Sequence, residues 1–239
     1  PVDDGGGNAL QIGSFYESRL PQVTLFFGDF KLAFIQMATV APENQGTYTD
    51  VDTSIPKIEV NYTFKTDTFS ITPYAGYNTV DFTNTVNDNS VSVDSYVVGA
   101  AGKFNFGPMY LKANIFWAQN AKNYGRSTAD LDSAAVIVGS DTEDAETWGG
   151  QVIAGWKMND MFGFEAGYSY DDNEVSPNGI TYKNAPSQYY INATITLAPG
   201  VFIVPEIGYF DFGDQEITGQ PTQDLGDCTY YGAKWQINF

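Results

Sequence analysis

A chain of 239 residues without a single histidine has no access to the commonest general base. Ser–His and Asp–His mechanisms are therefore excluded within these residues. The lone Cys228 can neither close an internal disulfide nor find an imidazole to activate it, so it reads as a tolerated free thiol. No zinc site with His or paired Cys can be built, and the C-x-x-C-H of haem attachment is absent. The run "DDGGG" at 3–7 lacks the lysine and following helix of a phosphate loop, and reads as a flexible loop. "NYT" (61–63) and "NAT" (192–194) match glycosylation acceptors but fall within strand patterns, and are discounted.

The chemistry left is that of carboxylates. Asp and Glu number 29 against 11 Lys and Arg, for a formal net charge of -18. No basic patch exists to neutralise phosphates, which excludes nucleic acid as a partner. Twenty of the acids lie in or beside five long polar segments, at about 40–54, 81–94, 120–146, 171–185 and 213–228, with only three bases among them. Asp141, Glu143, Asp144, Glu146, Asp171, Asp172 and Glu174 form the densest part of this acidic set. A solvated surface is the plain reading of such a set. Its one-sided placement also suits a mouth that concentrates cations and repels anions. Asp141, Glu143 and Asp144, in "DTEDAE", could further offer oxygen ligands to Ca²⁺ or Mg²⁺, although no EF-hand spacing is present. No other cofactor is expected.

These acids need a scaffold, and the scaffold is β. No segment holds a 3.6-residue apolar period beyond two turns, while period-two alternation recurs throughout. No apolar run approaches the 18 or so residues of a membrane-spanning helix, whereas spanning β-strands need only about ten, half of them polar. Strands are predicted near 20–27, 30–39, 55–65, 69–80, 95–106, 109–119, 147–158, 162–170, 186–197, 201–212 and 229–239. Tight turns at 28–29, 66–67, 107–108, 159–161 and 198–200 alternate with the five long segments. Strict alternation sorts the short turns onto one rim of an antiparallel sheet and the long loops onto the other.

The two faces of each strand differ. In 186–197, Tyr189, Ile191, Ala193, Ile195 and Leu197 oppose Gln188, Tyr190, Asn192, Thr194 and Thr196. Charged residues recur in mid-strand on the polar faces: Lys57, Glu59, Lys103, Lys112, Lys157, Glu165, Glu206 and Lys234. Unpaired charge is very costly in a packed core and is at home in a water-filled lumen. These eight are the candidate pore-lining residues. Aromatics gather at strand ends, as in the headgroup-level bands of membrane barrels.

The closing stretch "YYGAKWQINF" resembles the C-terminal signature of Gram-negative outer-membrane barrels. That resemblance implies that Phe239 is part of the signal read by the barrel-assembly machinery. The opening stretch "NALQIGSFYESRLPQVTLFFGDFKLAF" is similar to the segment of trimeric general porins that follows their inward-folded constriction loop. It implies that Asp3 and Asp4 are a remnant of that loop. The expected fold class is thus all-β: a single transmembrane antiparallel up-and-down β-barrel over 1–239. Eleven strands that begin and end descending cannot close by antiparallel pairing, and an open edge in lipid strands backbone groups at several kcal/mol each. Strands are therefore expected to be missing at the N-terminus; the resemblance implies that these are the last eleven of a sixteen-stranded barrel, and twelve is the alternative if 9–17 is itself a strand.

The function implied is a non-enzymatic outer-membrane porin for passive diffusion of small hydrophilic solutes and ions, with an acidic, cation-favouring mouth. The resemblance further implies a homotrimer in the bacterial outer membrane, in contact with lipid and lipopolysaccharide, with short turns periplasmic and long loops extracellular. The competing readings are a solute-specific channel, with Tyr74, Tyr110 and Tyr190 lining a sugar or aromatic-acid path, and a translocator or structural barrel.

Overall fold

The computed structural model describes residues 10, 12–15, 20–37, 40–126 and 132–238. Its strands are β1 (Gln22–Phe27), β2 (Phe30–Ile35), β3 (Tyr48–Asp52), β4 (Lys57–Tyr62), β5 (Phe64–Lys65), β6 (Phe69–Asn84), β7 (Ser90–Phe106) and β8 (Met109–Gln119). After a one-turn helix α1 (Ala121–Tyr124) come β9 (Val136–Val138), β10 (Asp141–Glu143), β11 (Ala145–Lys157) and β12 (Phe162–Val175). The chain then runs through β13 (Tyr182–Asn184), β14 (Ser187–Ala198), β15 (Val201–Asp211), β16 (Asp214–Ile217), β17 (Gln223–Asp224) and β18 (Asp227–Ile237). All pairings between these strands are antiparallel and nearly all join neighbours along the chain, giving an up-and-down sheet. The main path is β1, β2, β4 (continued by β5), β6, β7, β8, β11, β12, β14, β15 and β18. β3, β13, β16 and β17 prolong the sheet on the long-loop side.

Tight turns join every second pair. Gly28 and Gly107 take the left-handed backbone that the two-residue turns at 28–29 and 107–108 require, and Gly200 does so at 199–200. The predicted 109–119 strand coincides with β8. Elsewhere the strands differ at their long-loop ends. β6 and β7 run on to Asn84 and from Ser90, so the expected loop at 81–94 is a five-residue turn. The cause is a second apolar layer: Val80, Phe82, Val91 and Val93 cluster with Tyr48, Ala135 and Ile137. β12 likewise extends to Val175, and β2 stops at Ile35.

One sheet face is apolar and uncovered. Ile115, Trp148, Trp156, Tyr189, Ile191, Ile207 and Trp235 are all exposed on it. A patch of this extent is intolerable in water and is satisfied by lipid. Two aromatic groups edge it. Near the tight turns Phe64, Phe69, Phe104 and Phe106 form a chain of ring contacts 5.7–6.3 Å apart, with Trp156 and Phe164 beside each other farther round. Nearer the long loops Tyr96–Trp117, Trp148–Tyr170 and Tyr189–Tyr209 pair at 5.1–5.9 Å. The opposite face is the inner one, and chain is packed on it.

Candidate functional site

Two segments lie on the inner wall. The first is 12–15, with Leu10. The expectation that 9–17 might form a strand does not hold for its described residues, which are irregular. Leu10 packs on Ile153 and Tyr190, and Phe15 packs edge-on against Phe116 at 5.1 Å and Tyr124 at 5.3 Å. The second is the connection from β8 to β11, in its described residues 120–126 and 132–138. It was expected to be an extracellular loop, yet Ala121, Tyr124, Ala134 and Ala135 are fully buried. Its apolar "DSAAVIV" stretch supplies the reason, because Ala135 and Ile137 complete the inner cluster over β6 and β7 while Val136 packs on Ala145 and Val175. Backbone bonds between Glu43 and residues 135 and 137 tie it to the β2–β4 connection.

Tyrosines organise the wall beneath. Across four ladders a tyrosine stands directly opposite a glycine: Tyr74 and Gly99, Tyr110 and Gly155, Tyr190 and Gly167, Tyr230 and Gly208. In each case the ring lies flat where a Cβ on the glycine would be, so only glycine fits there. Lying flat lets the hydroxyl reach a polar partner on the wall. Tyr74 donates to Asn114 at 2.9 Å and Tyr230 to Glu206 at 3.1 Å. Glu165 accepts from both Tyr110 and Tyr190, one on each carboxylate oxygen. Tyr124 of α1 repeats the motif from the loop side, covering Gly76 and donating to Glu59 at 3.0 Å. Burial, then the Glu59 charge, push the Tyr124 hydroxyl far above its ordinary pKa, keeping it a donor.

The candidate pore residues divide into distinct environments. Lys57 is fully buried, 3.3 Å from Glu59 and 4.4 Å from the Tyr124 ring centroid, so α1 covers it. Lys103 and Lys112 are directly opposed across the β7–β8 ladder, 5.7 and 5.3 Å from the Tyr110 ring. Glu165 stands two strands on, and Glu206 accepts Asn192 at 3.2 Å as well as Tyr230. Lys234 is on the inner face of β18 across from Val204. Lys157 lies at the tight-turn rim, in an exposed ion pair with Asp160 at 3.0 Å. Of the aromatic path, Tyr190 is buried beneath Leu10 and Tyr74 packs into the cluster around Phe116, so neither offers a free ring face.

The acidic set splits too. Asp141 and Glu143 are exposed on β10, and Asp144 accepts from Asn120 at 2.7 Å. Among the described residues no group of three acids, Cys or His is arranged to hold a metal, so these three are not brought together as a cation site. Glu146 and Glu174 are directly paired on the outward face, and Glu174 meets Lys183 at 2.7 Å. Asp172 is outward beside Trp148. Asp171 departs from the expectation: it points inward, fully buried, and meets Arg126 at 2.6 Å. Strand parity explains this, since Asp171 falls on the face of Ser169 and Gly167. Asp3, Asp4 and Phe239 lie outside the described residues. Arg126, Tyr124 and Tyr230 had no signal in spacing; the Tyr–Gly pairs become visible only once register is known.

Among solved structures the chain is similar to outer-membrane expressed OmpT of Vibrio cholerae, with a TM-score of 0.57 and 14% identity over 98% of this chain and 73% of that one. The in-vitro folded form of that outer membrane protein matches with a TM-score of 0.51 at 14% identity, covering 90% of this chain and 63% of that one. Its loop L8 deletion mutant matches with a TM-score of 0.50 at 16% identity, covering 98% and 68%. The fold is that of an outer-membrane β-barrel. No protein-family model matches the chain, and a search of curated proteins finds no match. At this identity the likeness is one of fold, and the inner wall of the barrel must be read from its own residues.

Proposed function

We propose that this barrel is a non-enzymatic porin of the bacterial outer membrane, a water-filled channel for passive diffusion of small hydrophilic solutes and ions. The observation that carries the reading is the contrast between the faces. Lys103, Lys112, Glu165, Glu206 and Lys234 stand on the inner wall of a sheet whose other face is apolar. Ionisable groups in a dry core would be prohibitively costly, and in an aqueous lumen they tune what passes. Lys103 and Lys112 flank the Tyr110 ring whose hydroxyl donates to Glu165, and Glu206 stands farther round on β15, each carboxylate held in place by tyrosine hydroxyls. At the long-loop end Asp141, Glu143, Asp144, Glu146, Asp172 and Glu174 make a mouth that favours cations.

On this reading the long loops are extracellular and the tight turns periplasmic, and lipid and lipopolysaccharide surround the apolar face. Membership of a sixteen-stranded homotrimer and recognition of the C-terminal strand by the barrel-assembly machinery belong to the same proposal. No cofactor is required. Planar-bilayer recording on the refolded chain tests it. Large, unblocked conductance steps with a weak cation preference are expected. Saturable block by one solute class would replace it with a solute-specific channel, and complete lack of conductance would overturn it.

A further inference from the structure

The most enclosed ion pair among the described residues joins the inward loop to the wall. Arg126 and Asp171 have side chains 1% and 0% exposed, 2.6 Å apart. The same Asp171 oxygen accepts the backbone N–H of Gly13 at 3.0 Å. Arg126 also donates through Nε to the Ser14 carbonyl at 2.9 Å, and Asn114 on β8 donates to the Gly13 carbonyl at 3.2 Å. The guanidinium lies 4.8 Å from the Phe116 ring centroid and 6.0 Å from that of Phe15, which packs edge-on against Phe116. Gly13 adopts φ +70°, and a Cβ there would run into the Gly150 carbonyl, so the segment sits flush on β11. Three separate stretches, 12–15, 121–126 and β12, thus meet at one carboxylate and one fork.

We propose that Arg126 and Asp171 form a latch that seats both inward segments on the wall and thereby sets the bore and charge preference of the channel. The proposal rests on the channel reading above. Its logic is reciprocal. Arg126 bridges segment 12–15 to the wall carboxylate, and Asp171 ties both the loop and Gly13 to β12. Removing either partner breaks the bond that joins the loop to the wall and changes the local charge by one unit, which loosens the segments and admits water. Both losses therefore widen the lumen, but they shift the charge lining it in opposite senses.

The test uses the full chain and its variants Arg126→Gln, Asp171→Asn and the double variant, with folding checked by heat-modifiable migration in gel electrophoresis. Single-channel conductance is expected to rise by roughly 1.5- to 2-fold in each. The zero-current potential should move towards cations in Arg126→Gln and towards anions in Asp171→Asn, and stay near the parent value in the double variant. Arg126→Lys keeps the charge but loses the fork, and should release the segments without the selectivity shift; it serves if Arg126→Gln does not fold. Unchanged conductance in the single variants, or selectivity shifts of the same sign, would overturn the latch. Amide hydrogen exchange at Gly13 and at 121–126 gives a readout independent of conduction. Both should lose protection together in either single variant. If the parent chain does not conduct, the channel reading fails, while retained protection at Gly13 in Asp171→Asn sinks the latch itself.

Discussion

Tyr230 stands directly across the β15–β18 ladder from Gly208, and its ring fills the space that a Cβ on that glycine would need. Alanine normally suits a strand better than glycine, so Gly208→Ala would be expected to stabilise in any open position. Here the ring must move, and overpacking of this kind costs about 1–3 kcal/mol. Gly208→Ala should therefore lower the unfolding midpoint in guanidinium, whereas the same change in a Tyr230→Ala background should be neutral or stabilising. Additive effects in that double-variant cycle would show that the flat packing carries no energy.

Glu165 accepts hydroxyls from two strands at once, Tyr110 on β8 and Tyr190 on β14. Truncation to alanine leaves both hydroxyls without their acceptor on a mostly covered wall. The expected loss is about 1–3 kcal/mol for each stranded group. Glu165→Gln keeps one carbonyl oxygen and should fall between the parent and Glu165→Ala in denaturant titrations. Adding Tyr190→Phe to Glu165→Ala should recover part of the loss, since it removes one stranded donor. A further loss on that addition would argue against the shared acceptor.

How much of this could be read beforehand depends on the length of the connections. Lys103 and Lys112 are separated by the tight turn at 107–108, whose Phe106–Met109 pairing fixes the register, so their opposition follows from sequence. Strand faces were equally legible, because parity along a strand is local. The four Tyr–Gly pairs are different. Three of them span ladders whose strands are joined by long connections, where no local turn sets the register, and the fourth, Tyr74 and Gly99, spans the β6–β7 ladder, whose five-residue turn lies inside what reads in sequence as a long polar loop. The inward course of the β8–β11 connection, in its described residues 121–126 and 132–138, was hidden for a related reason. Its acids at 130, 132 and 141–146 advertise a solvated loop, while the short apolar stretch that docks it, Ala134–Val138, is too brief to announce a partner. Asp171 shows the same limit, since it lies one residue past the predicted strand end at 170, and its inward direction follows only once β12 is seen to run to Val175.

The outward-lying acids of the long-loop rim should act at a distance, through their field. Asp141→Asn, Glu143→Gln and Glu146→Gln together remove three charges while leaving Asp144, which accepts Asn120 at 2.7 Å, in place. The cation preference measured from zero-current potentials should fall in this triple variant. The fall should be greatest near 0.01 M salt, where the Debye length is about 30 Å, and almost vanish near 1 M, where it is about 3 Å. An equal change at both salt concentrations would point to charges inside the lumen instead.

Asp132 links the inward connection to the upper sheet, accepting Gln215 Nε2 at 2.6 Å while itself buried. Burial raises its pKa above the ordinary carboxylate value; the Gln215 hydrogen bond lowers it, Glu43 raises it and Lys122 lowers it, with burial prevailing. The folded chain therefore holds this proton more tightly than the unfolded chain does. The stabilisation from the proton is fully present below the unfolded pKa of about 3.9 and is lost as pH rises through the raised folded value. Asp132→Asn keeps an oxygen for Gln215 and has no charge to bury. It should unfold at a higher temperature than the parent at pH 7, and the advantage should shrink on acidification and disappear below about pH 4. Thermal unfolding followed by circular dichroism between about pH 3.5 and 8 measures it. A gap that does not change with pH would mean that the Asp132 carboxylate carries no burial cost.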